Sequence, residues 1–127
     1  MSISNFKSKR KTTGGLYKRL RKKKKRDFGS DFIPIRIGEE RKKVVEGLAN
    51  IRKQRLLQTN MINVTDTKTG KSKKVKILQV LEHLDNIHYT RMSVITKGCV
   101  VKTEMGKVKV TSRPGQHGMI NGILLGE

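Results

Sequence analysis

The chain of 127 residues contains no tryptophan, one cysteine and two prolines, and aromatic residues make up only 4% of it. A lone Cys99 rules out an intramolecular disulfide and gives no sign of an oxidising compartment. No stretch approaches the length of apolar run that spans a bilayer, and the N-terminus has no apolar segment of the signal-peptide kind. A soluble intracellular protein is expected. Acid is scarce too: 10 Asp and Glu stand against 30 Lys and Arg, a net charge of +20. Metal chemistry finds no foothold, because His83, His88 and His117 together with Cys99 match no zinc spacing. Gly70-Lys71-Ser72 resembles the end of a phosphate-binding loop, but Thr65 stands where that loop needs glycine, and the tripeptide lies in a turn between strands. Asn63-Val64-Thr65 is formally a glycosylation acceptor, which carries no meaning without a secretory signal. Scattered acids and the adjacent Glu39 and Glu40 form no acid/base pair. No catalytic residue, metal, cofactor or small-molecule substrate is expected.

What is present is positive charge, unevenly placed. Residues 1–26 hold twelve cations and no acid; residues 27–127 hold 18 cations against 10 acids. Six like charges in a row, Arg21 to Arg26, repel one another unless a polyanion compensates them. Nucleic acid does so with release of counterions. Gly14 and Gly15 interrupt any helix in this extension. Its few large apolar residues, Ile3, Phe6, Leu16, Tyr17 and Leu20, make no amphipathic face for a membrane. The extension is expected to be disordered alone and to order on its polyanion.

Residues 27–40 read as an extended connector, with Pro34 disfavouring helix at Ile33 and with Phe32, Ile33, Ile35 or Ile37 available to lie on the body. From residue 41 to 127 the pattern is mainly β. Val44 and Val45 mark a short strand ending near Gly47. Residues 51–64 read as one longer strand whose imperfect alternation implies a bulge or two differently buried halves. Asp66-Thr-Lys-Thr-Gly70 is turn chemistry. Residues 73–82 read as a strand, although Ile77, Leu78, Leu81 and Leu84 also fit helical spacing. Residues 86–97 carry no clear pattern. Residues 98–104 and 107–113 make a hairpin turning at Gly106. Pro114-Gly115 suits the centre of a type II turn, with glycine supplying positive φ. Residues 119–125 are a last apolar strand. The expected fold is mainly β: a small antiparallel barrel or sandwich of about six strands with a long basic N-terminal extension.

Two strand candidates in the body are basic. Arg52, Lys53 and Arg55 lie on one, and Lys71, Lys73, Lys74 and Lys76 on the next. Were these strands paired, one face or rim would carry a dense positive patch. No recognition helix, zinc finger, basic zipper or paired-aromatic RNA-binding signature is present. A glycine-broken basic extension on a small β body suits threading between folded RNA helices.

Lys9-Arg-Lys-Thr-Thr-Gly-Gly15, the basic run ending Lys25-Arg26, and Ile37-Gly38 resemble the N-terminal pattern of the eS8 family of small-subunit ribosomal proteins. Asn63-Val64, Asp66-Thr-Lys-Thr-Gly-Lys71, Ile95-Thr-Lys-Gly98 and Thr111-Ser-Arg-Pro-Gly-Gln116, followed by Gly118 and Ile120-Asn121, continue the likeness over nearly the whole chain. The length matches the short archaeal form. The family commonly has an Arg-Gly-Gly-Asn-like turn where this chain reads Gly47-Leu48-Ala49-Asn50. It more usually has Trp near Phe6, and archaeal members often have an acid where His117 stands.

The resemblance implies a structural, non-catalytic component of the small ribosomal subunit, cytoplasmic, with small-subunit rRNA and neighbouring small-subunit proteins as partners. It implies a β-barrel on the rRNA surface and an arm running into that RNA. No membrane association and no homo-oligomer is expected. Residues of the arm expected to contact rRNA are Lys7, Lys9, Arg10, Lys11, Thr12, Thr13, Gly14, Gly15, Tyr17, Lys18, Arg19, Arg21, Lys22, Lys23, Lys24, Lys25 and Arg26. Gly14-Gly15 would let backbone approach backbone. On the body the expected contacts are Arg36, Arg52, Lys53, Arg55, Lys71, Lys73, Lys74 and Lys76, with Arg113, Pro114 and Gly115 in a shaped loop. The alternatives are an assembly factor on the same body and a free basic nucleic-acid-binding protein.

Overall fold

Runs in which Val or Ile alternates with Lys can bury one side and solvate the other only as strands. The computed structural model describes residues 8–18, 21, 22, 24 and 27–126, with the backbone alone at Leu48, and shows seven strands among them. Two compact units are present, Met1–Phe32 and Ile33–Glu127. In the second unit β1 (Arg41–Glu46) and β2 (Arg52–Gln58) form a two-stranded antiparallel ribbon. Then β3 (Met61–Thr65), β4 (Ser72–Glu82), β5 (Val100–Thr103), β6 (Gly106–Val110) and β7 (Asn121–Leu124) close into a barrel in that order. Two short helices, α1 (Ile87–Arg91) and α2 (Pro114–His117), occupy the β4–β5 and β6–β7 connections. The expected small β-barrel is therefore present, and its closing seam, β3 against β7, is parallel.

The barrel interior is lined by β-branched residues at alternate positions, with one irregularity on β4 between Ile77 and Val80. Ile62 and Val64, Val75, Ile77 and Val80, Val101, and Val108 and Val110 are all buried, and Ile35, Leu56, Ile95, Cys99 and Ile120 complete the core. Burying a side chain of this size stabilises by about 1.5–3 kcal/mol, so this list is where a body lean in aromatics finds its stability. Burial also pushes the Cys99 thiol's pKa up. On β7 the inward position is Gly122, whose added Cβ would fall 2.5 Å from Val108 Cγ1 and 2.9 Å from the Lys109 carbonyl oxygen. Closure of so narrow a barrel needs that residue to have no side chain.

Residues 35–38 thread between ribbon and barrel. Arg36 N donates to Leu57 O, Thr59 N to Arg36 O, and Ile95 N to Ile35 O (3.3, 3.2 and 2.8 Å). Ile35 is buried and Ile37 packs on the core, while Phe32 remains largely exposed.

Four sequence expectations are resolved here. Residues 51–64 are two strands in two different sheets, broken at Thr59-Asn60. Thr59 is buried and its hydroxyl accepts from Met61 N (3.2 Å), so it turns the chain from ribbon into barrel. Residues 73–82 are strand, because Val75, Ile77 and Val80 face the interior and the helical spacing is incidental. The patternless stretch 86–97 holds α1, capped by Asn86 Oδ1 on His88 N (2.9 Å), and contributes the buried Val94 and Ile95. Pro114-Gly115 is not a type II turn. Proline's fixed φ suits the first helical position equally well, and Gln116 N and His117 N both donate to Arg113 O at 2.9 Å. The positive φ falls instead at Gly118 (70°), the left-handed cap of α2, where a Cβ would sit 2.9 Å from Gln54 Cβ and 3.1 Å from Gln54 O.

Gly118→Ala should therefore destabilise the fold by about 2 kcal/mol or more. Gly115→Ala, whose Cβ would meet only Ile35 Cδ1 at 3.8 Å, should stay within about 0.5 kcal/mol of the parent. Urea unfolding of the two variants side by side checks the assignment, and equal effects would contradict it.

Candidate nucleic-acid interface

A lysine placed on the outer face of a strand has a stiff base, and its ammonium group is held where a phosphate can find it. The body presents three such groups. The first lies on the ribbon. Across β1 and β2, Lys43 stands opposite Arg55 and Val45 opposite Lys53, so one face carries three cations and no acid. The other face of the ribbon carries Glu46, which pairs with Arg52 (3.8 Å), and Gln54, which meets Gly118 of the α2 cap. Just before β1, Glu40 contacts Lys42; the hydrogen bond and charge of Lys42 hold the Glu40 carboxyl below the usual carboxylate range, with Lys74 adding to the effect.

The second group runs from the turn into β4. Lys71, Lys73, Lys74 and Lys76 are all exposed; Lys74 and Lys76 lie on the outer face of β4, whereas Lys73 lies on the side of Val75 and Ile77, opposite Val64. Their turn is shaped by Asp66, whose carboxylate accepts from Lys68 N (2.9 Å) and from the Thr69 hydroxyl (2.8 Å). Those two donors, the Lys68 amide foremost, lower the Asp66 pKa. The two basic strands do not pair with each other, because β2 pairs with β1 and β4 pairs with β3 and β5. The break at Thr59 separates the two basic strands into two sheets.

The third group was not among the expected contacts. Lys102 on β5 stands directly opposite Lys107 on β6, with Lys109 two residues further along. Its signal was the alternation Lys107-Val108-Lys109-Val110: once the valines face inward, the lysines must face outward.

In the first unit, residues 9–17 fold into a short hairpin, an element the sequence reading did not assign. Tyr17 N donates to Lys9 O (3.0 Å), Lys11 N to Gly15 O (2.8 Å) and Gly14 N to Lys11 O (3.0 Å). Gly14 makes the turn at φ 85°, the Arg10 guanidinium donates to its carbonyl (2.8 Å), and Lys11 Nζ lies 5.7 Å from the centre of the Tyr17 ring. Thr12 and Thr13 are exposed at the tip, and a Cβ on Gly14 would meet nothing within 4 Å. Lys9, Lys18, Lys22 and Lys24 are exposed. Arg21 pairs with Asp27 at 3.2 Å, and Asp27 also accepts from Lys24 N. The expected contacts Lys7, Arg19, Lys23, Lys25 and Arg26 lie outside the described residues.

Of the remaining expected contacts, Arg36 and Arg113 are exposed, whereas Pro114 is buried in α2 and is not available at the surface. Gly115 is half-buried in the same helix turn. His117 Nδ1 accepts from Arg113 N (3.3 Å), and His83 bonds the Thr96 hydroxyl (2.7 Å) and packs edge-on against Tyr89. Among the described residues no three His, Cys, Asp or Glu side chains gather as a metal site would require. The chemistry on offer is electrostatic attraction for a polyanion over several faces.

A family model described as Ribosomal protein S8e matches residues 4–125. Three curated proteins named small ribosomal subunit protein eS8 are similar over nearly their whole length. That of Methanococcus aeolicus is 45% identical over 128 residues, covering 100% of both chains. That of Methanocella arvoryzae is 47% identical over 120 residues (94% of this chain, 95% of its own). That of Methanosphaera stadtmanae is 43% identical over 125 residues (98% and 99%).

The β1–β2 loop holds a local test. Ala49 sits at φ 55°, ψ 42° and Asn50 at φ 59°, a region that costs a residue with a Cβ roughly 1–2 kcal/mol. Ala49→Gly, the residue type of the Arg-Gly-Gly-Asn-like turn at that place, should raise stability by about 1 kcal/mol, read as a higher melting temperature with unchanged secondary structure.

Proposed function

Because the chain belongs to the ribosomal protein S8e family, we propose that it is a non-catalytic structural component of the small ribosomal subunit that holds rRNA at several points and works in the cytoplasm. The observation that carries the reading is the distribution of charge. Twelve cations and no acid precede residue 27, and the body adds outward-facing lysines in a like-charged pair, Lys102 against Lys107. Like charges directly opposite on a sheet destabilise it. Such a pair fits a protein whose working state supplies the counter-charge.

The hairpin at residues 9–17 supports a specific role for the arm. Its backbone bonds set the spacing of Lys9, Arg10 and Lys11, its tip exposes two hydroxyls, and the open space over Gly14 would admit a sugar-phosphate backbone closely. Phosphate and 2′-hydroxyl contacts of this kind recognise RNA shape more than sequence. The rRNA contacts on the body are then Arg36, Lys53, Arg55, Lys71, Lys73, Lys74, Lys76 and Arg113, to which the structure adds Lys43, Lys102, Lys107 and Lys109 as candidates.

Two measurements test the reading. Removal of residues 1–26 should weaken binding to small-subunit rRNA and flatten its salt dependence by roughly 0.7–0.9 log units per decade of salt for each phosphate that is no longer neutralised. An unchanged affinity and slope would refute the arm's part. Lys107→Glu, which sets an acid opposite Lys102, should stabilise the free protein by about 0.5 kcal/mol while weakening rRNA binding. An unchanged rRNA affinity would show that the face shared by Lys102 and Lys107 is no part of the interface.

A further inference from the structure

The body's charge is lopsided along a single strand. On β4 the exposed positions change from Lys73, Lys74 and Lys76 to Leu78, Gln79 and Glu82, and residues 77–90 contain no Lys or Arg. The stretch 77–96 holds Glu82 and Asp85 against Arg91 alone, a net charge of −1 in a chain of +20. Beyond the strand, Leu84 is 81% exposed and Ile87 74%, with Met92 at 45%.

One exposed leucine is ordinary. Three large apolar side chains within nine residues, set on a firmly built corner, are not. Asn86 caps α1, the His83 ring packs edge-on against Tyr89 with centroids 5.1 Å apart, and His83 Nε2 bonds Thr96 Oγ1 at 2.7 Å. Glu82 and Asp85 flank this corner, and neither enters an ion pair among the described residues. Arg91 is the one cation of the sequence between Lys76 and Lys97. A phosphate backbone would be repelled by the two carboxylates and would gain nothing from Leu84 or Ile87. A protein surface with apolar side chains at its centre and Lys or Arg around them would match both features.

We infer that the corner formed by the end of β4 and α1 is a docking surface for a neighbouring basic protein of the small subunit, while nucleic acid is held on the lysine-bearing faces. This rests on the reading of the chain as a subunit component. It divides the body by partner. The strand that grips RNA at its first half meets protein beyond its second.

Photo-crosslinking from inside assembled subunits tests it. A benzophenone side chain is placed at Leu84 or Ile87, positions too exposed for the substitution to disturb packing, and at Lys53 for comparison. Small subunits are purified, irradiated and digested, and the adducts are identified by mass spectrometry. The expected result is label at 84 and 87 mainly in Lys- and Arg-rich peptides of another protein, and label at 53 mainly in RNA. Adducts at 84 and 87 with RNA, adducts with a second copy of this chain, or no adduct from either position in subunits that do contain the protein would overturn the docking surface and leave the subunit reading intact. Failure of the protein to sediment with small subunits at all would overturn both.

Discussion

The pairing of β3 with β7 is the interaction on which the rest of the body depends. It is the only parallel seam of the barrel, and it joins the first barrel strand to the last. Closure removes the exposed edges that an open five-stranded sheet would carry. It also separates inside from outside for every strand at once. Val and Ile take the interior, so each alternate residue must meet solvent. Gly122 is the local condition for that closure, because the space a side chain would need is already taken by Val108 and Ile62.

The placement of charge follows from this geometry. A lysine between two inward valines cannot fold back into the core, and neighbouring strands put lysines beside one another whether or not this suits the isolated protein. Lys102 and Lys107 are held across from each other by the register of β5 and β6. Repulsion of this kind is tolerable where core burial outweighs it and a bound polyanion relieves it. The few acids do local work. Asp27 ties Arg21 and the Lys24 amide together, and Asp66 shapes the turn that leads into the lysines of β4. Glu82 and Asp85 stand apart from that pattern, at the corner where the cations stop.

Much of the site was legible because its signal is local. Twelve cations without an acid need no structure to be noticed, and alternation such as Lys107-Val108-Lys109-Val110 names its own outward face. The turns were read less well. Pro114-Gly115 fits a type II turn and a helix start equally, and the choice fell to Gly118, whose approach to Gln54 spans more than sixty residues of sequence. The break at Thr59 was hidden because both halves of 51–64 carry strand-forming residues. What ends the first strand is a buried hydroxyl and a bond to Arg36, from a segment more than twenty residues earlier.

Composition and period alone determined that this would be a β body with a cationic leader, since a strand's alternation and a run's charge are properties of neighbours in the chain. Which cations share a face was decided only in three dimensions. Arg52, Lys53 and Arg55 went to a ribbon and Lys73, Lys74 and Lys76 to a barrel, because strand partnership depends on which apolar faces can be buried together. That is a property of residues far apart in sequence, and no local pattern carries it.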